Sequence, residues 1–308
     1  MKAIITKRKL FREIPSASGM EVVGDKIYVI GDDSPLLYIL NQKNLKIENK
    51  VQLFESEFFG NGRIPKAFKP DLECLTTLNI NDRNYLAAFG SGAAPTRAHC
   101  YLIQLPEKPG DVIQIKQYSL QKLYAALQIN KDLLAEDLLN IEAAASTSGQ
   151  KLFLLQRSIA TGPNVLLSFD KNELFRHLTD STSTVPAYQA YYFELPHLSG
   201  LSARFSGAYT FADKLFFTAS VENTTDAILD GQILGSFVGT IDLKTLKPTT
   251  KPMGLETALI LNEEGEPFIG KVESLAILEK IGERTYRAIA MTDNDNGASE
   301  FLELEITL

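Results

Sequence analysis

Four glutamates occupy the same place in a short phrase that recurs along the sequence. Each lies in a small apolar strand, followed by a turn of Gly, Asp or Asn and a second apolar strand that ends in polar residues. In a repeat fold, equivalent positions gather around one axis, so these carboxylates become neighbours. Neighbouring buried carboxylates raise one another's pKa and need bases or hydrogen-bond donors beside them. The residues are Glu21, Glu73, Glu142 and Glu273, and a degenerate copy has Ser206 at this position.

Basic residues also stand in repeat-related places. Arg157 ends a second strand, Arg97 precedes a third strand and Arg204 precedes the degenerate first strand. Lys271 lies two residues before Glu273, so both side chains share one face of a strand. One interpretation is structural, with the bases and glutamates paired in a buried polar belt that holds the repeats in register. The other is functional: the ring binds an anionic or polyhydroxylated small molecule, or a hard metal ion.

The functional interpretation assigns roles to individual residues. A carboxylate of raised pKa, or a metal-bound water, is the expected base of a hydrolase that acts on a phosphoester or a lactone. The expected catalytic residues are Glu142, Glu273 and Arg157. The expected ligand-binding residues are Glu21, Glu73, Arg97, Arg204, Lys271, Ser91 and Gln156.

Polar residues that end the second strands should reach the same mouth of the channel. The segment Asp293-Asn294-Asp295-Asn296-Gly297 fails the EF-hand pattern, because its Gly comes one position early and no Glu stands at the twelfth place. A turn rich in Asp and Asn is one interpretation, and a calcium site of another type is the other. The expected metal ligands are Asp293, Asp295 and Asp32, and calcium is the expected cofactor if there is one.

Composition limits the classes of partner. The net charge of −7 and the pI near 5.2 leave no basic surface for nucleic acid or an anionic membrane.

Cys74 and Cys100 lie in apolar strands, which favours buried free thiols over a disulfide. The N-terminal apolar run is too short for a signal peptide, and no stretch is long enough to span a membrane. The sequence therefore predicts a cytoplasmic protein that binds a small molecule.

The elements that must position these residues form a β-propeller. Each copy of the phrase is followed by further short strands and polar turns, which predicts four-stranded antiparallel blades. The copies are 52, 69, 64 and 67 residues apart, and the return from Glu273 through the chain ends to Glu21 is 56. This spacing predicts one all-β domain over 1–308 with five blades. A six-bladed ring is the alternative, with its extra blade in 244–270.

Two terminal features complete the predicted ring. The strand at 3–11 has no neighbour in sequence, and the last copy lacks a fourth strand. We therefore expect the N-terminal strand to complete the last blade and close the ring, which removes open edges.

Two insertions should lie on the rim. Residues 55–70 form a long loop, and 120–139 carry leucines at helical spacing, which predicts one or two short amphipathic helices packed on the blades. These insertions motivate the alternative function: a protein-interaction scaffold whose charged belt is only structural. Fold alone does not separate the two functions.

With the repeats in view, the chain resembles a bacterial β-propeller family of unknown function, distantly similar to phytase-like esterase and SdiA-regulated propellers. The resemblance implies a propeller with a polar axial site, and the related groups imply calcium as an occupant and export from the cell. The residues that carry it are 140–144, 154–157, 162–164, 230–231, 235–236, 271–275 and 292–293.

Overall fold

The computed structural model describes residues 1–108, 111–160, 162–180, 182–224, 231–249, 251–294 and 297–308, which form an all-β, propeller-like protein. The N-terminal strand is β1 (Lys2–Phe11). Unit 1 contains β2 (Ala17–Val23), β3 (Lys26–Gly31), β4 (Leu36–Asn41) and β5 (Ile47–Gln52). Unit 2 contains β6 (Leu72–Ile80), β7 (Arg83–Gly90), β8 (His99–Gln104) and β9 (Gln114–Ser119). Unit 3 contains β10 (Ile141–Ser146), β11 (Lys151–Gln156), β12 (Asn164–Asp170) and β13 (Tyr188–Glu194).

The remaining strands form two more units and two small additions. A two-stranded hairpin consists of β14 (His197–Leu198) and β15 (Leu201–Ser202), and β19 (Met253–Gly254) pairs with β13. Unit 4 contains β16 (Arg204–Phe211), β17 (Lys214–Asn223), β18 (Gln232–Asp242) and β20 (Glu256–Leu261). Unit 5 contains β21 (Lys271–Lys280), β22 (Thr285–Asp293), β23 (Ser299–Thr307) and β1.

The prediction that the N-terminal strand completes the last unit is confirmed. β1 pairs antiparallel with β23 from Lys2↔Thr307 to Phe11↔Ser299, and Lys7 and Arg8 form ion pairs with Glu303 and Glu300. At its other edge β1 pairs parallel with β20, which joins units 4 and 5 into one eight-stranded sheet.

The first strands of successive units lie side by side. β2 contacts β6, β6 contacts β10, β10 contacts β16, β16 contacts β21, and β21 contacts β2. The apolar core is divided accordingly into five clusters, each between the facing sheets of two successive units. Cys74 and Cys100 are buried free thiols in the cluster between units 2 and 3, as predicted.

Each first strand carries a β-bulge at the same place, and β21 has a second irregularity further along. The extra residues, which lie opposite no single partner, are Ser18, Glu73, Glu142, Ser206 and Glu273. A bulge turns its extra side chain out of the regular alternation of a strand. The prediction that Glu21 is the equivalent of the other three glutamates is therefore wrong, because Ser18 holds that position and Glu21 lies three residues further along β2.

The insertions contain the helices. Residues 120–139 form α1 (Gln121–Gln128) and α2 (Lys131–Leu134), whose leucines pack on units 2 and 3 as expected. A third helix, α3 (Lys171–Thr179), was not predicted; Asp170 caps it by accepting hydrogen bonds from the backbone of Asn172 and Glu173. Short 3-10 helices lie at Phe59–Asn61 and Pro95–Arg97. No helix in the described part of the chain has the length and apolar character needed to cross a bilayer.

Candidate functional site

A cavity of about 420 Å³ opens where the first strands meet, and charged side chains line most of it. It brings together Glu73, Glu142 and Glu273 from three bulges, although about 200 residues separate the first from the last. The other acids that line it are Asp32, Asp33, Asp71, Glu222 and Asp293. The bases that line it are Arg63, Lys66, Lys69, Arg97, Arg157, Arg204 and Lys271.

Arg157 and Glu142 satisfy each other. Arg157 Nη1 lies 3.1 Å from Glu142 Oε2, and Nη2 lies 2.8 Å from Glu222 Oε2. The second oxygen of Glu142 accepts a 2.6 Å hydrogen bond from Asn140, and that of Glu222 accepts one from the backbone of Gly231. Burial opposes the charge of Arg157, but the nearby glutamates outweigh it and raise its pKa. Each carboxylate oxygen of Glu142 and Glu222 therefore has a donor.

Glu273 is less completely satisfied. Its Oε1 lies 2.8 Å from Lys271 Nζ, as the same-face prediction for these two residues requires. Its Oε2 is buried and has no hydrogen-bond partner among the residues that the structure describes. Burial raises the pKa of Glu273 to about 7, and the charge of Lys271 only partly opposes this. One carboxylate oxygen of Glu273 therefore has no donor within the described chain.

Glu73 faces an ammonium group and two aspartates. Carboxylate oxygens of Asp32, Asp71 and Glu73 lie within 4.8 Å of one another, and Lys69 contacts Asp32 and lies 2.8 Å from Asp71 Oδ1. Burial, together with the charges of Asp71 and Glu142, raises the pKa of Glu73 well above its usual range. Within the described chain Glu73 accepts no hydrogen bond from a protein group.

The same cluster tests the fit of a calcium ion. Three carboxylates from two units supply suitable oxygen ligands. Their cation is already present, however, because the ammonium of Lys69 stands between Asp32 and Asp71. Calcium would have to displace Lys69 there. Burial raises the pKa of Asp32 to about 7, and the charge of Asp293 adds to this effect. Asp293 also lines the cavity. Asp295 lies outside the described residues.

Residues 55–70, the rim loop, form one wall of the cavity. Arg63 pairs with Asp33 and donates a 3.1 Å hydrogen bond to Ser16, and the backbone of Ile64 donates to the carbonyl of Asp33. Lys69, at the other end of the loop, holds unit 1 to unit 2 through its aspartates. The prediction of a loop here is confirmed, but its bases were not expected at the site.

Arg97 and Arg204 differ in their partners. Arg97 Nη1 lies 2.7 Å from Asp71 Oδ2. Arg204 Nη2 donates a 3.0 Å hydrogen bond to the carbonyl of Thr224, and no carboxylate lies within 4.0 Å of its guanidinium in the described chain. Burial and the charge of Arg157 lower the pKa of Arg204.

Three predicted binding residues lie outside the cavity lining. Glu21 Oε1 accepts a 3.1 Å hydrogen bond from the backbone of Thr77, and burial raises its pKa to about 7. Ser91 is fully buried and donates a hydrogen bond to Asp71 at 2.5 Å. Gln156 accepts from the backbone of Asn140 at 2.7 Å. Ser91 and Gln156 thus support residues of the lining.

The lining also contains residues that sequence reasoning did not single out. Asp71 and Asn140 occupy the position two residues before the bulge, the same position as Arg204 and Lys271 in their units. Comparison of the repeats at this second position would have found them. For Arg63 and Lys69 the only signal was the presence of bases in a long rim insertion.

The chain is similar to solved structures at low identity. The glutaminyl cyclase of Myxococcus xanthus matches with a TM-score of 0.51 and 11% identity, over 99% of this chain and 97% of that one. An α-L-arabinanase of Cellvibrio cellulosa complexed with arabinohexaose matches with a TM-score of 0.48 and 14% identity, over 93% and 90%. The native arabinanase of Bacillus subtilis matches with a TM-score of 0.45 and 13% identity, over 96% and 95%. At such identities the likeness concerns the fold alone.

Comparison with curated proteins finds no match. The distant similarity to phytase-like esterase and SdiA-regulated propellers stays a prediction. A family model, in contrast, matches residues 13–306, nearly the whole chain. The protein therefore belongs to the family of unknown function DUF6929.

Proposed function

We propose that units 1 to 5 are the blades of one five-bladed propeller and that its axial cavity binds a small polar ligand. The side-by-side order of the first strands and the division of the core between successive units support this architecture. The described part of 244–270 contains only β19, β20 and one isolated bridge, which favours five blades over six and one domain over 1–308.

The observation that carries the ligand-binding proposal is the free oxygen of Glu273. A buried carboxylate oxygen without a donor is costly, so such groups are rare unless something else satisfies them. Glu273 lines the cavity and its buried Oε2 has no donor in the described chain, and Glu73 lines the same cavity without a hydrogen bond from the described chain. Hydroxyl or amino groups of a polar ligand would supply the missing donors.

The same two carboxyl groups suit proton transfer. Burial raises the pKa of Glu273 to about 7, so this group can take up or release a proton near pH 7, and burial raises the pKa of Glu73 well above its usual range, which favours its protonated form. We propose a hydrolase of the phosphoester or lactone type. Glu273 takes a proton from water, and the water oxygen forms a bond to the phosphorus or acyl carbon. The bond from that atom to the leaving oxygen breaks, and Glu73 gives its proton to the leaving oxygen. Glu142 and Arg157, which form an ion pair, would keep the charged side chains around the reacting group in position.

Thermal unfolding with a panel of sugars, sugar phosphates and lactones tests the site. A ligand at about a hundred times its Kd stabilises a protein by roughly 2.7 kcal/mol, a readily measured shift in Tm. We expect the shift to appear in the wild type and disappear in Glu273→Gln. Glu279→Gln is the matched control, because this exposed residue lies on the same strand, and it should keep the shift. A shift that survives in Glu273→Gln would exclude this carboxylate as the binding group.

We also propose calcium as a cofactor that competes with Lys69. Asp32, Asp71 and Glu73 supply its ligands only if the ammonium leaves. Lys69→Gln should therefore bind calcium more tightly than the wild type in isothermal titration. Equal weak binding by both proteins, with no effect of EDTA on Tm, would remove calcium from the proposal.

A protein-interaction scaffold is the second candidate function. It is favoured by one feature of the rim loop: Phe58 and Phe68 stack with ring centroids 4.1 Å apart and remain 46% and 59% exposed. If the protein is a scaffold, the double variant Phe58→Ser, Phe68→Ser should abolish binding of a partner protein. Glu273→Gln should then change only the stability of the fold. Ligand-dependent shifts that the double variant leaves intact would favour the small-molecule site.

A further inference from the structure

Units 4 and 5 differ at two equivalent positions beside the cavity. In unit 5, Lys271 stands two residues before the bulge residue Glu273 and opposite Asp293 on the next strand. In unit 4, Arg204 stands two residues before the bulge residue Ser206 and opposite Ser220. The base is present in both units, but serines replace both acids in unit 4.

The two serines do not compensate the charge of Arg204. Ser206 is fully buried and donates a 2.6 Å hydrogen bond to the carbonyl of Val272 in unit 5. Ser220 is fully buried and shares a 2.9 Å hydrogen bond with Ser236. The hydroxyl group of Ser206 is thus used in the contact with unit 5, and that of Ser220 is used within unit 4.

Glu222, the acid of unit 4 that lines the cavity in the described chain, is also engaged elsewhere. Its two oxygens accept hydrogen bonds from Arg157 and the backbone of Gly231. In the described chain Arg204 keeps one hydrogen bond, to the carbonyl of Thr224, and has no ion pair with a carboxylate. A partly buried guanidinium beside a second cation gains strongly from an anion, and its planar fork matches carboxylate and phosphate groups.

We propose that an anionic group of the ligand, a carboxylate or a phosphate, binds Arg204 in the place that the Glu273 carboxylate takes beside Lys271. The inference rests on the proposed function and narrows its ligand to a small hydroxylated molecule with one anionic group. The hydroxyl groups face Glu73 and Glu273, and the anionic group faces Arg204 across the cavity.

Two matched pairs of probes separate this inference from the proposed function. In the first pair, gluconate and sorbitol share a six-carbon hydroxylated chain, but only gluconate carries a carboxylate. In the second pair, inorganic phosphate is compared with chloride at constant ionic strength. We expect the wild type to bind gluconate at least about tenfold more tightly than sorbitol, as one charge-assisted contact provides. Arg204→Gln should bind the two equally and lose stabilisation by phosphate. Arg287→Gln, the same charge change at an exposed pair with Glu279, should behave as the wild type.

Four outcomes contradict the inference. A gluconate preference that persists in Arg204→Gln overturns it. A wild type that binds sorbitol and gluconate equally, with both lost in Glu273→Gln, overturns it and supports the proposed function. No stabilisation of the wild type by any probe overturns both. If Arg204→Gln does not fold, Arg204→Lys is the replacement, because it keeps the charge but not the planar guanidinium. Compared with the wild type, it should bind gluconate about tenfold more weakly and sorbitol with the same affinity. Unchanged gluconate binding by Arg204→Lys would overturn the inference.

Discussion

At the scale of single residues, the buried carboxyl groups differ in what satisfies them. Glu142 has a partner for each oxygen, and one of these partners is the buried guanidinium of Arg157. Glu142→Gln should destabilise the fold by at least about 2 kcal/mol, because removal of one member of a buried ion pair leaves charge uncompensated. Glu273→Gln should cost less, since it also removes an oxygen that has no donor. Urea unfolding of both variants measures the difference, and equal costs would contradict this assignment.

Glu21 should make stability depend on pH. Its pKa is raised to about 7 by burial, from about 4.5 in the unfolded chain. The native state therefore holds a proton that the unfolded state releases first, so stability from this residue is present below pH 4.5 and falls as pH rises to about 7. The loss is of the order of 3 kcal/mol. Unfolding free energies across pH 4.5 to 8 should fall less in Glu21→Gln than in the wild type; parallel profiles would show that the carboxyl is ionised in the fold.

The bulges explain how far the candidate site was predictable at this scale. Repetition identified Glu73, Glu142 and Glu273 as neighbours, because equivalent positions in a repeat must meet. It failed at Glu21, because a bulge adds one residue to a strand and the apolar pattern alone does not locate it. The partners of each glutamate depend on distances of a few ångströms between units, which no spacing in the sequence expresses.

At the scale of elements, small residues follow each bulge because the next first strand lies against them. The residues are Gly19, Cys74, Ala143, Gly207 and Ser274. A Cβ added to Gly19 would lie 2.7 Å from the backbone nitrogen of Leu75, so β2 would have to move away from β6. Gly19→Ala should cost about 1–3 kcal/mol in urea unfolding.

Gly60→Ala is the control for this substitution. A Cβ at Gly60 meets no atom within 4 Å, so the change should stay within about 0.5 kcal/mol of the wild type. If Gly19→Ala were equally neutral, the first strands would be less closely packed than the structure shows.

The elements themselves were largely predictable, with one instructive exception. Strand β12 is a short, mostly apolar run, β13 alternates between more and less buried residues, and α1 follows leucines at helical spacing. Helix α3 was missed because its sequence, Lys171–Thr179, is mostly polar and buries only one narrow face. Its start at the capping residue Asp170 was the available signal.

At the scale of the whole molecule, stability depends on β1. Removal of residues 1–11 would expose the edges of β20 and β23, which β1 pairs on its two sides. We expect the shortened chain to self-associate, because unpaired sheet edges recruit other strands. Size-exclusion chromatography with light scattering measures this, and a synthetic peptide of residues 1–11 should restore the monomer. A monomeric shortened chain with unchanged Tm would contradict the proposed closure.

The pairing of β1 also has a consequence for protein synthesis. β1 leaves the ribosome before the other strands, and β23 is made about 300 residues later. At about 5–20 residues per second the interval is roughly 15 to 60 s. For most of this time β1 has neither neighbour, because β20 is also made late in the chain. Lys7, Arg8 and Lys9 discourage premature pairing by their charge, and two of them later meet Glu303 and Glu300 on β23. The same short charged run therefore opposes premature pairing of β1 in the nascent chain and favours β23 as its final partner.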